Sequence, residues 1–228
     1  MIRAAFVVLS FALAAAPRAH AWGDEGHRIT GYIANEFLTE ATRSQLRRLI
    51  GTDDLSTVAT WMDDARDQLE RELPGSSRWH FENWSVCGSE RKCPRGNCIT
   101  HQLERLEHVV RDDRGGRDER AMAIRMLVHL YGDLHQPLHL ADNDDRGGND
   151  VLVKLPHEHN ERKLHEAWDT RFIHMNSQHY GEREYARLLA RQFADNRAEW
   201  QKGSVESWAV ETHELGSSQA YRSLPLFA

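Results

Sequence analysis

Two histidine–carboxylate pairs, each spaced four residues apart, have the clearest chemical potential in this sequence. His129 and Asp133 lie in LVHLYGDLHQPLH, and His165 and Asp169 lie in KLHEAWD. On an α-helix this spacing places both side chains on one face, so each pair can reach a single metal ion. Imidazole nitrogen and carboxylate oxygen are ligands that zinc accepts. A surface ion pair explains one such pair equally well, but two pairs in one chain favour metal binding.

Further candidates lie around these pairs. His139 follows in the first segment, where His135 is as well suited to hydrogen bonding as to ligation. The segment ATWMDDAR contributes Asp63 with Arg66 nearby, and RWHFEN contributes His80 between aromatic residues. In isolation these residues are typical of solvated helix acids and of a structural histidine.

The first residues predict an export signal. Arg3 precedes the apolar run AAFVVLSFALAAA, and Ala-His-Ala at 19–21 matches the small-x-small pattern of a signal peptidase site. We therefore expect residues 1–21 to be a signal peptide, the protein to be secreted or periplasmic, and no membrane attachment after cleavage. A retained N-terminal anchor is the alternative.

Cleavage after residue 21 would make Trp22 the new N-terminus. A free α-amino group is less basic than a lysine, and once deprotonated it is a nitrogen donor that can bind a metal. The carbonyl oxygen of Trp22 could complete a chelate ring, and His27 follows five residues later. The alternative is that Trp22 only packs and that His27 belongs to an ordinary helix.

Composition limits how a nucleic acid could be bound. The chain has 228 residues, 14 of them histidine, and a formal net charge of −6. Proteins that hold nucleic acid along its phosphate backbone are usually basic. Any binding of nucleic acid by this chain must therefore rely on local cations, and bound metal ions would supply them.

Three cysteines suggest an oxidised loop. Cys93 and Cys98 flank Pro-Arg-Gly-Asn, a turn-rich sequence that could let them pair locally. In an exported protein we favour a disulfide over zinc ligation by these thiolates. Cys87 is then left over.

The apolar spacing is helical nearly throughout, without repeats or linkers, and predicts one domain over 22–228. Residues 76–98 predict a structured loop, and 151–155 is a strand-like run that suits a small hairpin. Gly51 and Pro137 are expected to end helices. The predicted helices cover 29–37, 46–50, 58–69, 99–110, 118–136, 164–174, 182–199 and 204–216.

Taken together, the segments resemble the secreted single-strand nucleases of Penicillium and Aspergillus, the plant bifunctional nucleases and their bacterial relatives. The matching segments are WGDEGH, WMDDAR, WHF, LVHLYGDLHQPLH, RGGN and LHEAWD, in the family's order within residues 22–169. The resemblance implies a mostly α fold, a single helical domain of the zinc phospholipase C/nuclease type with long loops and at most a small β-hairpin.

The resemblance also implies three Zn²⁺ per chain, with Asp133 bridging the first two ions. Asp63, which the resemblance also makes a catalytic residue, would hold the first ion with His80, His129 and Asp133. Trp22, through its amine and carbonyl, would hold the second with His27 and Asp133. The third ion would bind His139, His165 and Asp169.

Substrate contacts follow from the same resemblance. Arg66 matches a phosphate-contacting arginine, and Phe81 matches an aromatic on which a base stacks. Asn83 stands where fungal members carry an acid that reads the base edge, and Asn149 in RGGN matches a residue near the site. The implied reaction is cleavage of single-stranded DNA and RNA at the P–O3′ bond, which leaves 5′-phosphates, with 3′-nucleotidase activity as an open addition.

Three departures from the family are visible. The chain after 169 is shorter than usual for the family, which ordinarily continues into a further long helix. Cys87 matches a position that pairs with a distant cysteine absent here, so we expect Cys87 to be unpaired or to pair between chains. The expected oligomeric state is a monomer. Lys163 replaces a usual asparagine two places before His165. The alternatives left open are a zinc phospholipase C and a non-catalytic zinc-binding protein.

Overall fold

The structure is a computed structural model that describes residues 22–222 and 224. The predicted signal peptide therefore lies outside the described residues. None of the helices among the described residues combines the length and hydrophobicity that crossing a bilayer requires. The α-helical segments of this part of the chain are α1 (Asp24–Asn35), α2 (Glu40–Ile50), α3 (Trp61–Asp64), α4 (Arg66–Glu72), α5 (Ile99–Arg111), α6 (Arg117–Leu134), α7 (Leu164–Glu166), α8 (Phe172–Ser177), α9 (Glu182–Gln192), α10 (Arg197–Trp200) and α11 (Val205–Leu215).

Helix α6 is the central element of the fold. Its sequence is rich in good helix formers, and it ends at Leu134, just before Pro137, which cannot continue a helix. Buried leucines and methionines from α5 and α6 pack in one apolar cluster, with Val205 and Ala209 of α11 on its edge. This packing holds the last turns of α6 rigidly, and those turns carry His129 and Asp133.

Helix ends follow the local sequence. The side chain of Thr39 accepts a hydrogen bond from the Thr42 N–H at the start of α2. Gly51 ends α2 with φ of 81°, a left-handed conformation that favours glycine. The predicted stop at Gly51 is confirmed.

The helix predicted over 58–69 is wrong as one continuous element. The chain forms a 3₁₀ turn at Leu55–Thr57, then α3, then α4. The Ala59 carbonyl, which would accept a bond within a continuous helix, instead accepts one from Nδ1 of His129. The helix predicted over 182–199 is also interrupted, because α9 ends at Gln192.

Two short antiparallel hairpins complete the described fold. The strands β1 (Asn83–Trp84) and β2 (Arg91–Lys92) pair within the segment that was expected to be a loop. The strands β3 (Leu152–Val153) and β4 (Arg162–Lys163) confirm the predicted small hairpin. Cys93 and Cys98 form a disulfide after β2, and Cys87 is exposed outside it. A mostly α fold is therefore confirmed.

The Glu70 carboxylate anchors the turn that leads to His80. It accepts hydrogen bonds from the backbone N–H groups of Gly75 and Ser77, each at 2.8 Å, and from the Ser77 hydroxyl at 2.6 Å. Bonds from the Ser77 hydroxyl and N–H lower the pKa of Glu70 to about 2. The folded-state pKa lies below the unfolded one, so this stabilisation is present above about pH 4.5 and is lost as the pH falls towards 2.

We expect Glu70→Gln to lower the melting temperature of the metal-free protein by about 2 °C at pH 7, the shift that a partly screened interaction produces in a domain of this size. The difference should begin to shrink below pH 4.5, where the unfolded chain takes up a proton at Glu70, and it should vanish towards pH 2, where the folded protein does so as well. Differential scanning calorimetry across this pH range measures it. The variant Glu72→Gln, on the same helix, serves as the control. An equal difference at pH 7 and pH 3 would contradict the assignment.

Candidate metal centre

Asp133 lies at the centre of the first group of candidate ligands. It is fully buried on α6, and its carboxylate oxygens approach three imidazoles. Asp133 Oδ2 lies 2.9 Å from His80 Nδ1 and 3.2 Å from His129 Nε2. Asp133 Oδ1 lies 3.2 Å from His27 Nε2 on the other side. One carboxylate thus faces two sets of ligands, as a bridging ligand must.

His27 reaches this group from α1. Its ring stacks on that of His129, with the centroids 3.9 Å apart. Gly132 makes this approach possible, because a Cβ at that position would lie 3.1 Å from His27 Nδ1. The Gly132 carbonyl accepts a 2.7 Å hydrogen bond from the Trp22 indole, which places Trp22 beside the same turn of α6. Residues from the start of the described chain therefore lie directly against the central helix.

Asp63 and Arg66 border the first group. Asp63 lies 3.7 Å from His129 Nε2 and 3.9 Å from His80 Nδ1. The Arg66 guanidinium is 3.8 Å from the Asp63 carboxylate and is partly exposed. The break between α3 and α4 separates these two residues, so that the buried acid faces the cluster while the arginine remains within reach of a ligand from solvent.

A second set of ligands forms beyond the end of α6. His165 Nε2 lies 3.3 Å from Asp169 Oδ2, and the rings of His139 and His165 are stacked with centroids 5.2 Å apart. Gln136 is fully buried between these elements, where its amide donates to Asp169 Oδ1 and its oxygen accepts from the Leu138 N–H. His135, by contrast, is exposed and bonds the Tyr131 carbonyl through Nδ1.

Backbone carbonyls fix the orientation of three histidines. Nδ1 of His129 donates to Ala59 at 2.8 Å, Nδ1 of His139 to His80 at 2.7 Å, and Nδ1 of His165 to Gly147 at 2.7 Å. A proton held on Nδ1 leaves Nε2 with its lone pair directed into the cluster. This is the tautomer that an imidazole requires in order to bind a metal ion through Nε2.

The electrostatics of the cluster favour a bound cation. Burial lowers the pKa of His139 to about 3, and it also lowers the pKa values of His27 and His165, so these rings are neutral near pH 7. Burial, followed by the charges of Asp133 and Asp63, raises the pKa of Asp169 well above its usual range. A buried carboxylate among other acids is costly unless a cation balances it.

The geometry fits a metal centre with nitrogen and oxygen ligands. Neither ring nitrogen of the buried His27 forms a hydrogen bond among the described residues, so both nitrogens are left without a hydrogen-bond partner. No thiolate takes part in these groups, and imidazole with carboxylate is a ligand set that zinc accepts. The described residues form three groups whose ligand atoms lie within 4.8 Å of one another: His27, His129 and Asp133; Asp63, His80 and His129; and His139, His165 and Asp169.

The expected substrate residues lie in three different surroundings. Phe81 directly follows His80 and is half-buried. Asn83 lines a polar cavity of about 230 Å³ together with Lys92, Glu90 and Asp142. Asn149 is half-buried in the loop of RGGN, and its amide donates to the Arg146 carbonyl at 3.0 Å. The structure places Phe81 next to a candidate ligand and Asn83 in a separate recess.

Two residues that lie beside the candidate ligands, Gln136 and Gly132, were not identified from the sequence. Gln136 lies between two candidate ligands, but nothing in its local pattern distinguishes a buried amide from a solvated one. Gly132 carried a signal, because a glycine near the end of an otherwise favourable helix often marks a close approach. Here the close approach is that of the His27 ring.

Comparison with known proteins places the chain among nucleases. The family described as S1/P1 Nuclease matches residues 22–225. Nuclease S1 of Aspergillus oryzae is 32% identical over 168 residues, which cover 69% of this chain and 56% of that protein. Endonuclease 2 of Arabidopsis thaliana is 26% identical over 180 residues, covering 73% and 61%. Nuclease P1 of Penicillium citrinum is 29% identical over 167 residues, covering 65% and 57%. The chain spans less than two thirds of the length of each of these relatives.

Proposed function

The chain belongs to the S1/P1 nuclease family, and we propose that it is a zinc-dependent nuclease that hydrolyses single-stranded DNA and RNA. The observation that carries the proposal is the convergence of three buried His/Asp groups around Asp133 and Asp169. The proposed ligand sets are those implied by the resemblance, with Asp133 bridging two ions and Trp22 contributing its amine and carbonyl oxygen. The N-terminal sequence supports action outside the cytoplasm, after cleavage at residue 21.

Bound zinc would supply a water nucleophile of lowered pKa and positive charge for the phosphate oxygens. The protein's own residues prepare this chemistry. Arg66 is positioned to bind a non-bridging phosphate oxygen, and its guanidinium is oriented by the Asp63 carboxylate 3.8 Å away. The Nδ1–H groups of His129, His139 and His165 are held by backbone carbonyls, which would keep their Nε2 atoms oriented for metal binding.

Phe81 would select single strands, because a base can stack on it only after leaving its own helical stack. Recognition would then act through one nucleotide and a cationic centre, which agrees with a protein of net charge −6. Cleavage of the P–O3′ bond with release of 5′-phosphates, and activity on 3′-nucleotides, belong to the same proposal.

The proposal is tested on protein processed to begin at Trp22. We expect about three zinc ions per chain by atomic absorption and chelator-sensitive release of 5′-mononucleotides from single-stranded DNA and RNA. Zinc binding without cleavage of either substrate would contradict the nuclease assignment. Fewer than two ions per chain would show that the ligand assignment is wrong.

Phe81→Ala should raise the KM for a single-stranded dinucleotide by about tenfold or more, because stacking of a base on an aromatic ring contributes about 1–3 kcal/mol. The kcat should change little. Steady-state kinetics measure both constants, and a phosphodiester without a base is the matched control substrate. A parallel loss on both substrates would mean that Phe81 supports the fold around His80 and does not bind the base.

A zinc phospholipase C is the second candidate, and one observation favours it. An apolar cavity of about 570 Å³ borders the site, with Trp22, Ile29, Leu127 and Gly132 in its wall. Such a cavity could accept an acyl chain. Release of phosphocholine from phosphatidylcholine vesicles, at a rate above that of nucleic acid cleavage, would favour this alternative.

A further inference from the structure

We propose that Tyr221 is a positioning residue for the group formed by His139, His165 and Asp169. It acts through Asp145 and the segment 142–148, which we term the carboxylate loop. The inference rests on the proposed function, since it concerns how this chain orients one of its metal-binding groups.

The carboxylate loop has an unusual backbone. Asp144, Arg146, Gly147 and Gly148 all have positive φ, at 59°, 61°, 62° and 78° respectively. For Asp144 and Arg146 this conformation is unfavourable, and it persists only where the surroundings impose it. At Gly147 a Cβ would lie 2.5 Å from the Leu138 carbonyl oxygen, so the loop is pressed against the segment that carries His139.

Two buried carboxylates impose this conformation. Asp142 Oδ1 accepts hydrogen bonds from the N–H groups of Asp145, at 3.2 Å, and Gly147, at 3.0 Å. Asp145 Oδ1 accepts one from the N–H of Gly148 at 2.7 Å. The loop is therefore held from the inside by charge-assisted bonds to its own backbone.

The loop in turn orients His165. The Gly147 carbonyl accepts the Nδ1–H of His165 at 2.7 Å, and the Gly148 carbonyl accepts its backbone N–H at 3.3 Å. A shift of these two carbonyls would rotate the imidazole and move Nε2 away from Asp169 Oδ2, which lies 3.3 Å away. The position of the ligand nitrogen thus depends on the loop conformation.

Tyr221 supports the loop from the C-terminal side. Its side chain is 1% exposed, and its hydroxyl donates to Asp145 Oδ1 at 2.6 Å. The other oxygen, Asp145 Oδ2, is buried without a hydrogen bond among the described residues. Without the hydroxyl, the Asp145 side chain would keep only the Gly148 N–H among the donors that the structure gives it, and a buried carboxylate with one donor is costly.

The segment before Tyr221 is itself fixed to the site. It follows α11 as a π-helical turn, Gly216–Ala220. At Gly216 a Cβ would lie 2.6 Å from the Pro137 carbonyl oxygen and 2.5 Å from the Ala141 Cβ, so this turn packs tightly against the segment on either side of His139. The hydroxyl of Tyr221 is therefore presented from a rigid support.

The test uses Tyr221→Phe in protein processed to begin at Trp22, stripped of metal and titrated with zinc against a chelating indicator. We expect the ion bound by His139, His165 and Asp169 to dissociate about tenfold more readily, at the lower end of the ~10–100-fold effects of residues that orient metal ligands. The other ions should keep their affinities. Titration with Co²⁺ should show an altered absorption band for one ion only.

Two further variants make the result decisive. Val205→Ala removes apolar contacts of α11, the helix that precedes Tyr221, and does not touch Asp145. This variant should leave the zinc affinities unchanged. His165→Ala should remove one ion, which identifies the signal. If His165→Ala loses no ion, the metal site of the proposed function fails. If it loses one ion but Tyr221→Phe retains wild-type affinity, or Val205→Ala weakens binding equally, the role of Tyr221 is overturned and the proposed function stands.

Discussion

Asp133→Asn should abolish binding of two of the three zinc ions and lower kcat/KM on single-stranded DNA by at least about 1,000-fold, since metal catalysis contributes several kcal/mol to the barrier. The substitution preserves size but removes the charge and one of the two acceptor oxygens. Both oxygens are engaged, one towards His27 and the other towards His80 and His129. Asp133 belongs to the group with His27 and His129, and it also lies 2.9 Å from His80 of the neighbouring group.

The matched control is Asp118→Asn, an exposed acid in the first turn of the same helix, which should behave as wild type. Zinc content after dialysis, kcat/KM and far-ultraviolet circular dichroism should be measured for both variants. A correctly folded Asp133→Asn protein that retains three ions and most of its activity would rule out the bridging role.

A methionine fused in front of Trp22 should have the second-largest effect. It converts the α-amine into an amide, which is no longer a basic nitrogen donor, and should cost about one zinc ion and roughly 100-fold or more in activity. Trp22 is held at the site by its indole bond to Gly132, and the next residue, Gly23, donates its N–H to the Asp169 carbonyl at 2.8 Å. Trp22 and Gly23 are thus fixed between the two ligand regions.

Two controls separate the amine from the side chain. Removal of the extra residue by a protease that restores Trp22 as the first residue should restore both zinc and activity. Trp22→Phe keeps the amine and loses only the indole bond, so its effect should be smaller than that of the extension. Equal zinc content and activity in extended and processed protein would defeat the N-terminal ligand.

The spacing of four residues between a histidine and an aspartate was enough to predict part of the site. The pair His129 and Asp133 faces a common point because α6 places residues four apart on one face. His165 and Asp169 are also close, at 3.3 Å, but they lie on either side of the junction between α7 and a π-helical turn, Ala167–Arg171. The approach of His80 to Asp133, across 53 residues of sequence, has no such local cause. The resemblance alone predicted it, because tertiary packing decides which distant segments meet.

Other features depend on contacts that local patterns do not encode. The helix expected over 58–69 begins only at Trp61, and the Ala59 carbonyl before it bonds His129, a partner 70 residues away. The local sequence does not distinguish Gln136 from an ordinary polar residue before a proline. Tertiary packing buries it against Asp169. The positive φ angles at Asp144 and Arg146 likewise depend on carboxylates that the loop folds around.

His129 gives the cluster a further property. Burial opposes its charged form, but the adjacent charges of Asp133 and Asp63 outweigh burial and raise the pKa of His129 to about 9. The carboxylates that raise this pKa are also the groups that would attract a metal ion to the same ring. Protons and zinc would therefore compete for His129, and the pH of the surroundings would set the fraction of the protein that carries metal.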